Sequence, residues 1–276
     1  MSRERVHRFG SHGGLMGVVS EPASGAVAEA PGVLFANVGL NHHVGPNRVW
    51  VDLARRLAAS GFTSLRFDLS GLGDSEPRGD ARPDGERAVL DITEAMDFLA
   101  SRTGSSRFVL VANCSGVDAL HATALGDPRV AGAVAIDGYA YRNSGYWLRR
   151  RTVALLQPSR WERRWRKYRF ERAGARREAG EAREVWTRDI PTREVFASDL
   201  DRLRARGAEL LLVYSGGMDQ AYNYRGQFEA VFGRRDGVEV DFYPQADHLF
   251  SAGSDRRWLL SRIDRWMTSR FATARG

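Results

Sequence analysis

The sequence predicts an α/β protein: a mostly parallel central sheet flanked by helices on both faces. Two observations predict it. Short apolar runs alternate with segments whose apolar residues recur at helical spacing, and the links between them are short. Several of the apolar runs are also continuous, as strands buried on both faces are, where half-exposed strands alternate apolar with polar. The chain has 276 residues, 43% of them hydrophobic, enough for a sizeable core.

In chain order, Arg5 to Pro22 reads as a β-hairpin. Val6, Phe9, Leu15, Val18 and Val19 are its apolar residues, and Ser11-His-Gly-Gly14 has turn chemistry. Gly32 to Ala36 is a short apolar strand, followed by a loop through Pro46. Arg48 to Ser60 is a helix with Val49, Leu53, Leu57 and Ala58 in register, and Gly61 stands where a C-terminal cap belongs. Phe62 to Leu69 is a strand that ends in the glycine-rich turn Ser70-Gly-Leu-Gly-Asp-Ser75. Glu86 to Ser101 carries Val89, Ile92, Met96 and Leu99 on one helical stripe. Strand Arg107 to Ala112, helix Gly116 to Leu125 and strand Val130 to Ile136 follow. After a basic segment come strand Glu209 to Ser215, helix Tyr224 to Phe232, strand Val238 to Tyr243 and an amphipathic helix Asp255 to Phe271.

Composition narrows the setting. No apolar run approaches the roughly 18 to 20 residues that a membrane span needs. The opening residues have no apolar stretch of the kind a secretory signal carries. One cysteine excludes an internal disulfide framework and suits a reducing compartment, so a cytoplasmic location is expected.

The most specific local pattern is Phe108-Val-Leu-Val-Ala-Asn-Cys-Ser-Gly-Val-Asp-Ala-Leu120, where a buried strand gives way to a helix within a few residues. A turn this tight needs small residues two before and two after the residue at its apex. With Cys114 at the apex these are Ala112 and Gly116, which fit. With Ser115 they are Asn113 and Val117, which do not. The register therefore favours the thiol over the neighbouring hydroxyl. A thiol at a helix N-terminus is also favoured as thiolate, the nucleophilic form.

The strand–small–x–Cys–x–Gly–helix pattern, with Asp68-Leu-Ser-Gly-Leu-Gly-Asp-Ser75 after the preceding strand, resembles the α/β-hydrolase superfamily along nearly the whole chain. Most members carry serine at this elbow; cysteine resembles the minority found among dienelactone hydrolases and some acyl-transfer enzymes. The resemblance implies an α/β-hydrolase fold and a base at His248, within Gln245-Ala-Asp-His-Leu-Phe250 between the last strand and the last helix. It implies as orienting carboxylate Asp219, which follows strand Leu210 to Tyr214 in Ser215-Gly-Gly-Met-Asp219. Asp137, at the end of the strand Ala133 to Ile136, is the competing acid, because some hydrolases draw theirs from that strand. The oxyanion hole is expected from the amides of Ser115 and, in the loop after the first parallel strand, Leu40. His42 and His43 of that loop, with Trp147, are candidate pocket residues. The six histidines and the cysteine show no metal-ligand spacing, and no phosphate-cradling glycine motif lies between a strand and a helix, so no cofactor is expected.

Residues 140–205 fall between two sheet strands, where this fold inserts a helical lid, and so divide the core into 1–139 and 206–276. Between Tyr141 and Asp189 fourteen arginines and one lysine face five glutamates and one aspartate, so the chain's net charge of +7 resides here. Four of the seven tryptophans, Trp147, Trp161, Trp165 and Trp186, lie in the same stretch. A lid over an acyl pocket is expected, with a cationic rim suited to an acyl carrier protein or coenzyme A. Interleaved glutamates argue against nucleic acid. The expected activity is covalent acyl chemistry on a small ester or thioester, by hydrolysis or acyl transfer. The rival reading is a non-catalytic hydrolase-fold module that docks an acidic partner through the basic lid.

Overall fold

The computed structural model describes residues 2–23, 29–36, 39, 41–156, 188 and 190–272. They form an eight-stranded sheet with helices on both faces. The strands are β1 (Arg3–Phe9), β2 (Leu15–Glu21), β3 (Gly32–Phe35), β4 (Ser64–Phe67), β5 (Phe108–Asn113), β6 (Val130–Ile136), β7 (Glu209–Ser215) and β8 (Val238–Tyr243). Their order is β1-β2-β4-β3-β5-β6-β7-β8. β1 and β2 form the antiparallel hairpin, β2 meets β4 antiparallel, and all further pairs are parallel. Seven helices are seen among the described residues: α1 (Val49–Ala59), α2 (Asp84–Thr103), α3 (Gly116–Gly126), α4 (Ser144–Leu156), α5 (Arg193–Ala205), α6 (Gln227–Phe232) and α7 (Gly253–Phe271).

The continuous apolar runs are central strands, and their two-residue period distributes them between two cores. On β5, Phe108, Leu110 and Ala112 face one core while Val109 and Val111 face the other. β6 and β7 divide in the same way, with Val134, Ile136, Leu211 and Val213 in the second core and Ala133, Ala135, Leu210 and Leu212 in the first. Ile92, Met96 and Leu99 of α2 close the first core, with Leu120 of α3 and Phe196, Leu200 and Leu203 of α5. Leu53 and Leu57 of α1 and Ile263, Trp266 and Met267 of α7 close the second.

The elements sit close to their sequence expectations, with differences at the ends. α1 is preceded by a 3-10 turn at Pro46–Arg48, with Asn47 and Arg48 in left-handed backbone. Gly61 is left-handed just beyond α1, as its capping role requires. Of the residues expected as a lid, α4 and α5 are described. α5 is held by the Thr192 hydroxyl, which accepts from the Val195 amide, and it buries its apolar face as one of the sheet-covering helices. Residues 157–187, including Trp161, Trp165 and Trp186, lie outside the described set. No helix among the described residues is long and apolar enough to cross a membrane.

Leu53 is fully buried between α1 and the sheet. Leu53→Ala is expected to destabilise the fold by about 2–5 kcal/mol, the range for truncating a buried leucine. The shift of the urea unfolding midpoint measures it.

Candidate active site

Cys114 stands one residue past the end of β5. Its amide donates to the Ile136 carbonyl at 2.9 Å, which extends the β5–β6 ladder by one bond before the chain turns. Its φ is +52°, left-handed for a residue with a β-carbon. That conformation costs about 1–3 kcal/mol and persists only where surrounding structure enforces it. Here the strand fixes one side and α3 the other, with the Val117 amide donating to the Cys114 carbonyl at 3.2 Å. The thiol projects at the N-terminus of α3, partly buried against the second core.

His248 arrives from the loop between β8 and α7. Asp247 shapes that loop: its carboxylate accepts from the amides of Leu249 at 2.9 Å and Ser251 at 3.0 Å. Asn47 adds bonds from its side chain to the Leu249 carbonyl and the Ser251 hydroxyl. Phe250 is buried, with a φ of +50°. Gly217 makes the approach of the loop feasible. A β-carbon at 217 would overlap the His248 backbone nitrogen and lie 2.8 Å from its Cα. The Gly216-Gly217 pair is thus the contact surface for the histidine loop as well as a tight turn.

The carboxylate on His248 is Asp137, where the sequence favours Asp219. His248 Nδ1 donates to Asp137 Oδ2 at 2.7 Å. Asp137 is fully buried and accepts two further bonds, from the Ser215 amide at 2.7 Å and the Ser215 hydroxyl at 2.5 Å. A buried carboxylate needs such donors to remain charged. Asp219 lies beyond the 3-10 turn Gly216–Met218, where its carbonyl accepts from the Tyr146 hydroxyl at 3.3 Å. The carboxylate paired with His248 therefore comes from the end of β6, and the end of β7 contributes Ser215 as its anchor. Ser215 is the residue that sequence reasoning missed; a serine closing an apolar strand carries no local signal of this role.

With Nδ1 occupied by Asp137, Nε2 is the nitrogen left for the sulfur, and His248 and Cys114 each shift the other's ionisation. The His248 imidazole is pushed well above its ordinary value, first by Asp137 and then by Cys114. The Cys114 thiol is held below its ordinary value first by His248, against the opposing effect of burial. The charges of His248 and Arg188 and the Ser115 amide lower it further. Both directions favour thiolate beside imidazolium.

Ser115 serves a different purpose from its neighbour. Its hydroxyl accepts from the Gly39 amide at 3.0 Å, tying the loop after β3 to the start of α3. Leu40 lies outside the described residues. His43 is engaged by the buried Asp68, which accepts from its amide at 2.6 Å and its Nδ1 at 2.8 Å. The exposed His42 has its ring 5.3 Å from that of His43. Trp147 is 46% exposed on α4, beside Tyr146 and under the Arg142 guanidinium. No described contact joins His42, His43 or Trp147 to Cys114. Among the described residues, His43, Asp68 and Asp74 are the one group whose ligand atoms could gather on a metal ion, and Asp68 already accepts from the His43 and Asp74 amides.

A model of the alpha/beta hydrolase family matches residues 33–261, which include Cys114, Asp137 and His248. The chain belongs to the alpha/beta hydrolase family. Among solved structures it is similar to the dienelactone hydrolase from Anabaena variabilis, at 15% identity over 97% of this chain and 98% of that one, with a TM-score of 0.60. It is also similar to a serine hydrolase without a lid from Xanthomonas campestris, at 14% identity over 100% and 97% with a TM-score of 0.58. The α/β hydrolase GrgF from a Penicillium species matches at 15% over 99% and 100%, also at 0.58. Identities this low speak for the fold alone. No curated protein matches the chain.

Gly217→Ala is expected to displace the His248 loop while the sheet stays folded. Alkylation of the single thiol at neutral pH should slow severalfold, with the far-UV circular dichroism spectrum unchanged. An unaltered alkylation rate would mean that the loop tolerates the methyl group.

Proposed function

We propose that this hydrolase-family chain performs covalent acyl chemistry on an ester or thioester, with Cys114 as nucleophile, His248 as proton carrier and Asp137 as the orienting carboxylate. One observation carries the reading: a single imidazole lies between a buried carboxylate and a thiol held at a strained bend.

In the reaction, the Cys114 thiolate attacks the acyl carbonyl. A carbon–sulfur bond forms and the carbonyl electron pair moves onto oxygen. The Ser115 amide, at the N-terminus of α3, is one donor for that oxyanion, and the loop after β3, tethered through Gly39, is the source of the second, with Leu40 as the proposed residue. Each donor in comparable sites is worth about 3 kcal/mol. Collapse of the adduct expels the alkoxide or thiolate, which takes its proton from His248. The acyl-thioenzyme then passes its acyl group to water or to another nucleophile whose proton His248 receives. Asp137 keeps the imidazole in one tautomer and balances its charge in the steps where it is protonated. Sulfur exchanges readily with thioesters, so transfer between carriers is within the same chemistry. The basic stretch after β6 suits an acyl carrier protein or coenzyme A as the thiol partner, and α4 contributes Arg149, Arg150 and Arg151 to it.

Incubation with activated acyl esters and acyl thioesters, followed by intact-mass measurement, tests the proposal. The expected result is one acyl adduct on the native chain and none on Cys114→Ala. A chain that stays unmodified where a control enzyme is acylated, or an adduct retained by Cys114→Ala, overturns it. The acid has its own test. Asp137→Asn is expected to lower the acylation rate by about two to four orders of magnitude, as replacing the triad carboxylate does elsewhere. Asp219→Asn should leave the rate near that of the native chain. Stopped-flow measurement of leaving-group release separates the two.

A further inference from the structure

His248 is not the only cation held close to the start of α3. Arg188, which precedes α5, forms a two-point ion pair with Asp118. Its Nε lies 2.9 Å from Oδ2 and its Nη2 lies 2.7 Å from Oδ1. Asp118 belongs to the first turn of α3, the helix that begins just after Cys114, and its amide donates to the Ser115 carbonyl at 3.1 Å. The guanidinium also sits 5.7 Å from the centre of the Tyr139 ring, two residues beyond Asp137. Arg188 is thus fixed to both elements that build the site, the helix behind the thiol and the chain behind the acid. Its side chain is 19% exposed, so water screens its charge less than that of a surface arginine.

The arrangement has two parallel arms. In one, Asp137 backs His248, which meets the sulfur. In the other, Asp118 backs Arg188, whose charge reaches the sulfur. We propose that Arg188 is a positioning residue that holds Cys114 as the thiolate, acting through its fixed charge and not through any contact with the acyl group. The inference builds on Cys114 as the nucleophile and adds a second source of its activation.

The groups around the thiol are all named: His248 from the β8–α7 loop, Asp137 behind it, Arg188 from the residues before α5, and Asp118 and Tyr139 against Arg188. The Cys114–Arg188 attraction is mutual, lowering the thiol and raising the guanidinium. The Tyr139 hydroxyl is pushed far up by burial first and by Asp118 second, so it stays neutral and adds no charge. Removing the Arg188 charge therefore raises the thiol, and the thiolate forms at higher pH. Intrinsic nucleophilicity rises with thiol basicity, so the fully ionised variant should react no more slowly than the native chain. Structural damage would instead slow the reaction at every pH.

The test is the rate of iodoacetamide alkylation from pH 4.5 to 9.5. The chain has one cysteine, so each rate reports on Cys114. Four proteins are compared: native, Arg188→Gln, Arg188→Lys and the double variant Arg188→Gln/Asp118→Asn. For Arg188→Gln the curve is expected to move to higher pH, with about a 2- to 10-fold slower rate on its acid limb for a shift of half a unit to one unit. Its high-pH plateau should equal the native one or exceed it by up to about 3-fold. Arg188→Lys should show a smaller shift, because it keeps the charge but loses the fork. The double variant also removes the Asp118 anion, so it should keep a smaller shift in the same direction, showing that the lost cation is responsible and not an orphaned Asp118. An unchanged curve for Arg188→Gln, a uniform slowing at all pH, or a native curve in the double variant overturns the proposal. Alkylation needs no acyl substrate, so a failure here is distinct from a failure of the acyl-transfer reading.

Discussion

The hydrogen bond between Asp137 and His248 is the interaction on which the site depends. It joins the end of β6 to a loop more than a hundred residues later. A carboxylate with no exposed surface loses its hydration, and its charge survives only if donors replace the lost water. Three do so: the Ser215 amide, the Ser215 hydroxyl and the imidazole. Two of the three come from the end of β7, so the parallel pairing of β6 with β7 sets the carboxylate in place independently of the histidine. The third is the functional one. The same bond that satisfies the buried charge fixes the ring's tautomer and leaves its second nitrogen free to serve the thiol.

Backbone strain clusters around this point. Six residues other than glycine have positive φ among the described ones: Glu29, Asn47, Arg48, Cys114, Asp137 and Phe250. Cys114 and Asp137 are both site residues, Phe250 is two residues from His248, and Asn47 bonds the His248 loop. Each such conformation costs about 1–3 kcal/mol, and the two at the site are held by identifiable bonds. Cys114 is tied to Ile136 and Val117, and the Asp137 amide donates to Val213 at 2.8 Å. The sheet registers thus enforce two sharp bends side by side at the ends of adjacent strands. A relaxed backbone at either would turn its side chain away from His248.

Much of this was legible in the sequence because it follows from local rules. Continuous apolar runs marked the central strands, and the small residues at 112 and 116 placed the bend at Cys114. The chemistry of the Ser115 position could not be read in the same way. Its hydroxyl tethers Gly39, a partner 76 positions away that no local pattern reveals. The acid was harder still. Asp137 and Asp219 each follow a buried strand and both lie between Cys114 and His248, and the family resemblance favours the later one. Ser215, fully buried at the end of β7, holds Asp137 where His248 pairs with it, because its amide and hydroxyl face back across the β6–β7 pairing. The glycines at 216 and 217 read as turn formers, yet their distinctive constraint is the backbone of a loop thirty residues on.

The electrostatics of the site bear on both halves of the proposed reaction. A thiol held as thiolate beside His248 gains population of the attacking form but gives up intrinsic nucleophilicity, since reactivity falls as basicity falls. The same stabilisation acts with the opposite sign once sulfur is acylated. The acyl-thioenzyme must then release that sulfur, and a sulfur whose anion is welcomed by a nearby imidazolium and guanidinium is the better leaving group. What slows attack therefore speeds departure. A cysteine poised in this way balances its two half-reactions and avoids becoming trapped as a stable thioester. Under the proposed chemistry the arrangement suits an enzyme that passes its acyl group on, and it gives the Asp118–Arg188 pair a place in turnover.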